Sequence, residues 1–399
     1  MADKKQIPAP DEQHIARIVF FAAVTLCGII ARIMLFPQSS WDMEHFLIPW
    51  YEQLRDGGGF RAVGLEIGDY TPMYRYFLAF LTELHIPAVA GIKVFSGIFE
   101  LVAAVYIMRI TALAYPGTHR PLIAYAAAFC LPSVVLNSAG WGQCDGIYTC
   151  FLVMSLYDLL KEKDLTAMVM FGISFSFKLQ AIFFAPFVLV MVLRRKVRFR
   201  TLFAIPAVYF VSIIPSWIAG GSLINLLTIY FRQAGQYALL YMALPNVWSL
   251  LPEIRNNAAG AAGVFLAGAG ALAYVYYCYM TQGGKDEKLS VTETAASAVF
   301  SCYAVPYLLP YMHERYFFAA DLMLILVAVC LPEKLWLLPV SQFCAVIATA
   351  GNLFDVPRPD MRWVTLAETA VIFTVFMVMR GQRRQNGASP QSENRRDLS

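Results

Sequence analysis

Long apolar stretches alternate with short polar ones along the whole chain, beginning with "IARIVFFAAVTLCGIIARIMLF" at 15–36. A bilayer-crossing helix needs about 20 apolar residues in succession. Runs near that length, separated by breakers and charged loops, predict twelve helical spans. They fall near 15–36, 90–112, 121–138, 146–161, 165–178, 180–194, 199–218, 259–281, 289–309, 316–332, 335–353 and 363–380. The run "TPMYRYFLAFLTEL" at 71–84 is only about 14 residues long, which fits an interfacial or re-entrant helix better than a crossing. Ahead of it, Phe46, Leu47, Trp50, Tyr51 and Leu54 recur at spacings of three and four and are followed by Gly57, Gly58 and Gly59. That pattern predicts an amphipathic surface helix with a glycine stop.

Composition sharpens this into a class. Hydrophobic residues make up 59% of the 399, charged residues 15%, and the mean hydropathy is +0.57. Soluble domains carry about 45–50% apolar and about 25% charged residues. The expected fold class is therefore an all-α polytopic membrane protein, with one transmembrane domain over 1–380 and a disordered cytoplasmic tail over 381–399. The net charge of +4 matters through its placement. Basic residues cluster at Lys4–Lys5, at His119 and Arg120, in "RRKVRFR" at 194–200 and in the tail, each beside an apolar run. Under the positive-inside rule these sides are cytoplasmic, as are both termini. The loops at 37–89 and 219–258, "GWGQCD" and "MHERY" then lie outside. The same placement argues for membrane lipid as a partner and against nucleic acid. The eight cysteines fall mostly in apolar runs without a CxxC pair, so neither disulfides nor a cysteine metal site is expected. No HExxH, P-loop or GxGxxG occurs, which argues against a zinc protease and an ATP-driven pump.

Chemistry-bearing residues concentrate on the outer side. In "SWDMEHFLIPWYEQL" (40–54), Asp42, Glu44 and His45 fall together just after the first span. Asp42 reads either as an N-cap or as a carboxylate base at the membrane surface. "GDYTPMYRYF" (68–77) offers Asp69, Tyr70 and Arg75. Most of its tyrosines suit an aromatic belt, whereas a guanidinium at the boundary is a ready partner for phosphate. "NSAGWGQCDGIY" (137–148) reads as a tight turn carrying Trp141, Gln143 and Asp145. Lys178, in "FKLQ" with Gln180, is either an intramembrane functional cation or a snorkelling one. "PYLLPYMHERYFF" (306–318) groups His313, Glu314 and Arg315. There His313 is a candidate proton carrier, and a mere Glu314–Arg315 pair is the plainer alternative.

Taken in order, the first-loop acid, "GDYTPMY", "WGQCD", "FKLQ" and "MHERY" resemble the bacterial integral-membrane glycosyltransferases of the GT-C fold, in the Gpi18-like mannosyltransferase-related group. More distantly they resemble the dolichyl-phosphate-glucose-dependent glucosyltransferases. The resemblance spans about 41–316. It implies a GT-C architecture of roughly 11–13 transmembrane helices. It also implies an inverting hexosyl transfer from a polyprenyl-phosphate sugar to a glycan, lipid-linked or protein acceptor at the outer face of a bacterial inner membrane. Asp42 would be the general base, and His313, beside Arg315, would stand near the phosphate. Gln233, Asn246 and Trp248 in the outer loop would border the sugar. No cofactor is expected, although Asp42 and Glu44 form an Asp-x-Glu pair of the kind that holds a divalent metal in some GT-C enzymes. From another class, the alternative is a multi-span transporter or lipid-linked-sugar flippase. A transporter would place its site near the midplane among broken helices in paired repeats.

Overall fold

The computed structural model describes residues 12–233, 239–252, 257–281 and 289–387. Among them the chain is almost entirely helical. The elements are α1 (Glu12–Met34), α2 (Ile48–Asp56), α3 (Pro72–Glu83), α4 (Ala88–Ala114), α5 (Arg120–Cys130), α6 (Pro132–Val135), α7 (Asp145–Leu160) and α8 (Asp164–Phe177). After these come α9 (Ala185–Leu193), α10 (Ala204–Ile218), α11 (Leu223–Gln233), α12 (Asn257–Thr281), α13 (Val291–Leu308), α14 (Phe318–Cys330), α15 (Leu337–Leu353) and α16 (Met361–Gly387). Two short strands, β1 (Tyr241–Met242) and β2 (Met312–His313), pair in parallel.

Each of the twelve expected apolar segments is helical, but they are not twelve equivalent spans. Six helices are long and apolar enough to cross a bilayer, or seven if the bent pair Arg120–Cys130 and Pro132–Trp141 counts as one. Most of the others are too short. The 13 residues of α14 and the 14 of α8 reach only about 20 Å at 1.5 Å per residue, against a hydrocarbon core of about 30 Å. Burial explains their apolar character: every residue of α14 and 11 of the 16 in α7 are buried in protein. A helix apolar on all sides is a core helix as readily as a membrane one. The short helices form an inner layer. α14 packs on α4, α5, α7, α13 and α15, and so joins an N-terminal group (α4, α7, α8, α10) to a C-terminal one (α12, α13, α15, α16).

The loop between α1 and α4 is ordered, with its helices shorter than a span. A π-helical turn over Met43–Leu47 leads into α2, which buries Trp50, Tyr51 and Leu54. Gly58, at φ 86°, supplies the left-handed residue of the glycine stop. Helix α3 has 12 residues, too few to span. At the other end α16 continues to Gly387, past the expected tail boundary at 380, while 388–399 lie outside the described residues. So do "GGKDEK" and residues 234–238 and 253–256 of the loop expected at 219–258.

Candidate active site

The site is assembled where four chain breaks meet. Helix α1 is followed by a loop whose carbonyls, at Leu35, Phe36 and Gln38, are gathered by the buried ammonium of Lys93 on α4. This fixes the segment just ahead of Asp42. The Ser40 hydroxyl accepts from the Met43 amide and donates to the Trp141 carbonyl at 2.7 Å. Ser40 therefore provides the local cap, and the Asp42 carboxylate makes no capping bond. Instead, Asp42 Oδ2 accepts from Gln143 Nε2 at 2.6 Å and from Trp141 Nε1 at 3.1 Å, and lies 3.7 Å from the Arg315 guanidinium. All three contacts fall on Oδ2, and none on Oδ1.

The "WGQCD" segment is not the exposed outer turn its sequence suggests. Trp141, Gln143, Cys144 and Asp145 are all buried. A π-helical stretch over Leu136–Trp141 ends at Gly142, whose φ of 79° turns the chain into α7. The amides are satisfied locally: Gly142 N–H donates to the Ser138 carbonyl and Gln143 N–H to that of Asn137, both at 2.9 Å. The turn thus needs no water and can sit inside the bundle.

Asp145 opens α7 and takes the Lys178 ammonium at 2.5 Å and the Asn137 amide at 2.9 Å. Lys178 is buried, so it does not snorkel. Its extended backbone interrupts the chain between α8 and the 3₁₀ turn Leu179–Phe184, and that break presents the ammonium to Asp145. The rings of Tyr70, Tyr148 and Tyr316 surround it at 5.7–6.0 Å, a cation–π cage.

The late loop closes the cluster. β2 pairs with β1, and Asn246 donates to the Pro306 and Leu309 carbonyls. Trp248 donates to that of Leu308 at 2.9 Å. Asn246 and Trp248 thus fasten the loop between α11 and α12 to the end of α13. Arg315, beyond the strand, stands among three carboxylates: Glu314 at 2.8 Å, Asp145 at 3.6 Å and Asp42 at 3.7 Å. Its guanidinium lies 5.1 Å over the Trp141 ring. Burial would lower the Arg315 pKa, but these acids raise it well above the usual arginine value. Burial also pushes the Glu314 carboxyl up, yet His313 and Arg315 outweigh it and hold it at about 2. His313 Nδ1 is 3.8 Å from Glu314, and its ring meets Tyr316 edge-on. The plainer reading of "HER" is what is seen, since Glu314 and Arg315 pair, and Arg315 stands against Asp42 and Asp145 as well.

The other candidates spread outward. The Tyr70 hydroxyl donates to Gln143 Oε1 at 3.4 Å, and burial raises its pKa well above the phenol value. Asp69 next to it is pushed up by burial, with Lys178, Arg315 and Asp42 all near enough to act on its charge. Gln233 donates to the Asp69 carbonyl. Arg75 is buried on α3 and donates to the Leu65 carbonyl. Glu44 and His45 are exposed, with His45 stacked on Trp41. Gln180 is half-buried in the turn after Lys178. No group of three or more His, Cys, Asp or Glu able to hold a metal ion occurs among the described residues.

Sequence reading passed over several members. Asn137 holds Asp145, Tyr148 and Tyr316 complete the lysine cage, and Lys93 ties the first loop. A lysine and a glutamate inside the span at 90–112 were a readable signal, since intramembrane charges are rare without a purpose.

In this polytopic helical membrane protein a half-enclosed carboxylate, a buried lysine and a largely enclosed arginine thus meet on one loop cluster. The family model for glycosyltransferase family 87 matches residues 69–306, more than half the chain, and the protein belongs to that family. The match takes in the "WGQCD" turn and Lys178, while Asp42 and His313 lie just outside it. No curated protein matches the chain.

Proposed function

We propose that this membrane glycosyltransferase moves a hexosyl group from a polyprenyl-phosphate donor to an acceptor hydroxyl at the extracytoplasmic face of a bacterial inner membrane. The manner would be that of the Gpi18-like mannosyltransferases its motifs resemble. The observation that carries the reading is the state of Asp42. Its Oδ2 is fixed by Trp141, Gln143 and Arg315, which leaves Oδ1 for a substrate. A carboxylate locked by one oxygen and open at the other suits a general base, because proton transfer needs a positioned acceptor within hydrogen-bond reach.

The acceptor hydroxyl oxygen attacks the anomeric carbon from the face opposite the phosphate, and its proton passes to Asp42 Oδ1. The bond from the anomeric carbon to the phosphate oxygen breaks, its electron pair leaves with the lipid phosphate, and configuration inverts. Arg315 and Lys178 offset the negative charge of Asp42, Asp145 and Glu314 and hold them in register. Tyr70, Trp141 and the late loop enclose the space beside Oδ1 and limit water as a rival acceptor.

The test offers the purified chain a panel of short-chain polyprenyl-phosphate hexoses and follows release of the lipid phosphate with formation of a glycosylated product. Asp42→Asn should lower turnover by at least about 10²-fold while binding and detergent-stable folding persist. Full activity in that variant removes Asp42 from the role. Movement of the lipid-linked sugar across vesicles without product points instead to a transporter.

A further inference from the structure

A cavity of about 20 Å³ borders the site among α6, α14, α15 and α16. Its lining includes Asn137 and Arg315 from the site, with Ser133 of α6, Asp321 of α14, Ala345 of α15 and Glu368 of α16. About 10–15 Å³ is enough to take one water, provided that polar partners surround it.

The two helix-borne acids of this lining are satisfied differently. Asp321 Oδ1 accepts the Tyr303 and Ser341 hydroxyls, both at 2.6 Å. Glu368 is at least as buried, yet its Oε1 has no hydrogen-bond partner among the described residues. Three more lining residues share that condition: Ser133 Oγ, Asn137 Oδ1 and Arg315 Nε are buried and unpartnered among the described residues. The remainder of each is already held. The Ser133 amide donates to Gln342, Asn137 Nδ2 to Asp145 and Arg315 Nη1 to Glu314. Buried polar atoms are nearly always paired with protein or with ordered water. Here four chain segments each turn one orphan toward the same small space.

The chemistry of the four atoms selects the occupant. Asn137 Oδ1 and Glu368 Oε1 accept, Arg315 Nε donates, and the Ser133 hydroxyl can do either. A cation would be repelled by the Arg315 guanidinium, and an anion by Glu368 and Asp321. A small neutral molecule with two hydrogens to give and two lone pairs to offer matches the whole set. The bond to Arg315 matters most for the site. Its Nη1 is bonded to Glu314, and its Nη2 stands 3.7 Å from Asp42. Its Nε is 3.6 Å from Asp145, beyond hydrogen-bond range. A partner on Nε would therefore fix the tilt of the planar guanidinium.

We propose that this cavity holds one ordered water, which accepts from Arg315 Nε and the Ser133 hydroxyl and donates to Asn137 Oδ1 and Glu368 Oε1. Glu368, on α16, is then a positioning residue: through the water it sets the tilt of Arg315, and with it the approach of Nη2 to Asp42. The effect on turnover rests on the role given to Asp42 under Proposed function, whereas the water itself does not.

Two measurements on the purified full chain in detergent test the two halves. In a high-resolution experimental map, the wild type should show one density peak within hydrogen-bond reach of all four atoms. Ala345→Val, whose added methyl groups enter the cavity, should show none. In the transfer reaction, Glu368→Gln keeps an acceptor oxygen, whereas Glu368→Leu keeps only the volume. Glu368→Leu should lower kcat at least about 10-fold with KM held, since small misplacements near the reacting atoms cost that much. Glu368→Gln should stay within about 3-fold of the wild type, because a water-mediated bond survives in it. Ala345→Val should fall with Glu368→Leu although its acid is intact, and the two combined should be no slower than either alone. Melting temperatures confirm that the variants compared are folded. No peak in the wild-type map would overturn the proposal. So would Glu368→Gln as slow as Glu368→Leu, which would assign the effect to charge, or losses that add in the double variant. A wild type inactive on every polyprenyl-phosphate hexose would sink the transferase reading and leave the map to decide on the water.

Discussion

A carboxylate as buried as Glu314 ordinarily keeps its proton, because desolvation penalises the charged form. Here His313 and Arg315 reverse that and hold its pKa at about 2, below the ordinary 4.5. A folded pKa below the unfolded one gives stability that is complete above about pH 4.5 and is lost as pH falls toward 2. The shift corresponds to about 3 kcal/mol, an order-of-magnitude figure. The melting temperature of the wild type should exceed that of Glu314→Gln at pH 7, with the gap closing between pH 4.5 and 2. A gap that does not change with pH would show that Glu314 contributes through packing alone. Residue by residue, the sequence carried Asp42, Lys178 and the "HER" cluster because charged groups stand out against apolar neighbours. It did not decide between cap and base for Asp42. The cap reading is set aside by Ser40, which takes the cap, while Trp141, about a hundred residues away, reaches Oδ2. Long-range partners of this kind leave no local pattern.

At the scale of elements, irregular backbone positions the charged groups of the candidate site. The π-helical turns at Met43–Leu47 and Leu136–Trp141, the left-handed Gly142 and the extended Lys178 all interrupt otherwise regular helices. Such defects are tolerated at membrane depth only where protein encloses them, as it encloses residues 137–142 and Lys178. Gly142 is the sharpest case. A Cβ there would adopt a left-handed conformation that costs about 1–2 kcal/mol and would press on the Met43 side chain, next to Asp42. Gly142→Ala should therefore cut turnover at least about 10-fold with a shift of only a few degrees in melting temperature, since the flexible Met43 can move while the Gln143–Asp42 bond loses its geometry. Turnover at the wild-type level would mean that the turn does not set that bond. Periodicity located every long helix, but apolar length alone could not separate a span from a core helix. Burial of α14 and α7 by their neighbours decided that, and burial is a property of the assembled bundle.

Across the whole molecule, one buried network ties the most lipid-exposed helix to the site. Helix α1 is only 6% buried across its apolar window, so little packing fixes it. Its Arg32 instead donates to Glu100 Oε2 on α4 at 2.7 and 2.9 Å, and Ser138 of the π-helical stretch donates to the same oxygen at 2.7 Å. The Ser138 carbonyl in turn receives Gly142 N–H. Glu100 thus joins α1 and α4 to the turn that carries Trp141 and Gln143. Removing one member of a buried ion pair typically costs about 3–5 kcal/mol, because the remaining charge is stranded, while replacing both with apolar residues is often near neutral. Glu100→Gln should therefore lower the melting temperature sharply, and Arg32→Met/Glu100→Met should recover most of that loss. Turnover separates the two roles of the network. If Glu100 only neutralises Arg32, the double variant regains activity along with stability. If it also holds the turn through Ser138, the double variant stays slow although it is stable. The shared Oε2 favours the second outcome, because the bond from Ser138 has no substitute once the carboxylate is gone. A double variant as active as the wild type would confine the network to anchoring α1.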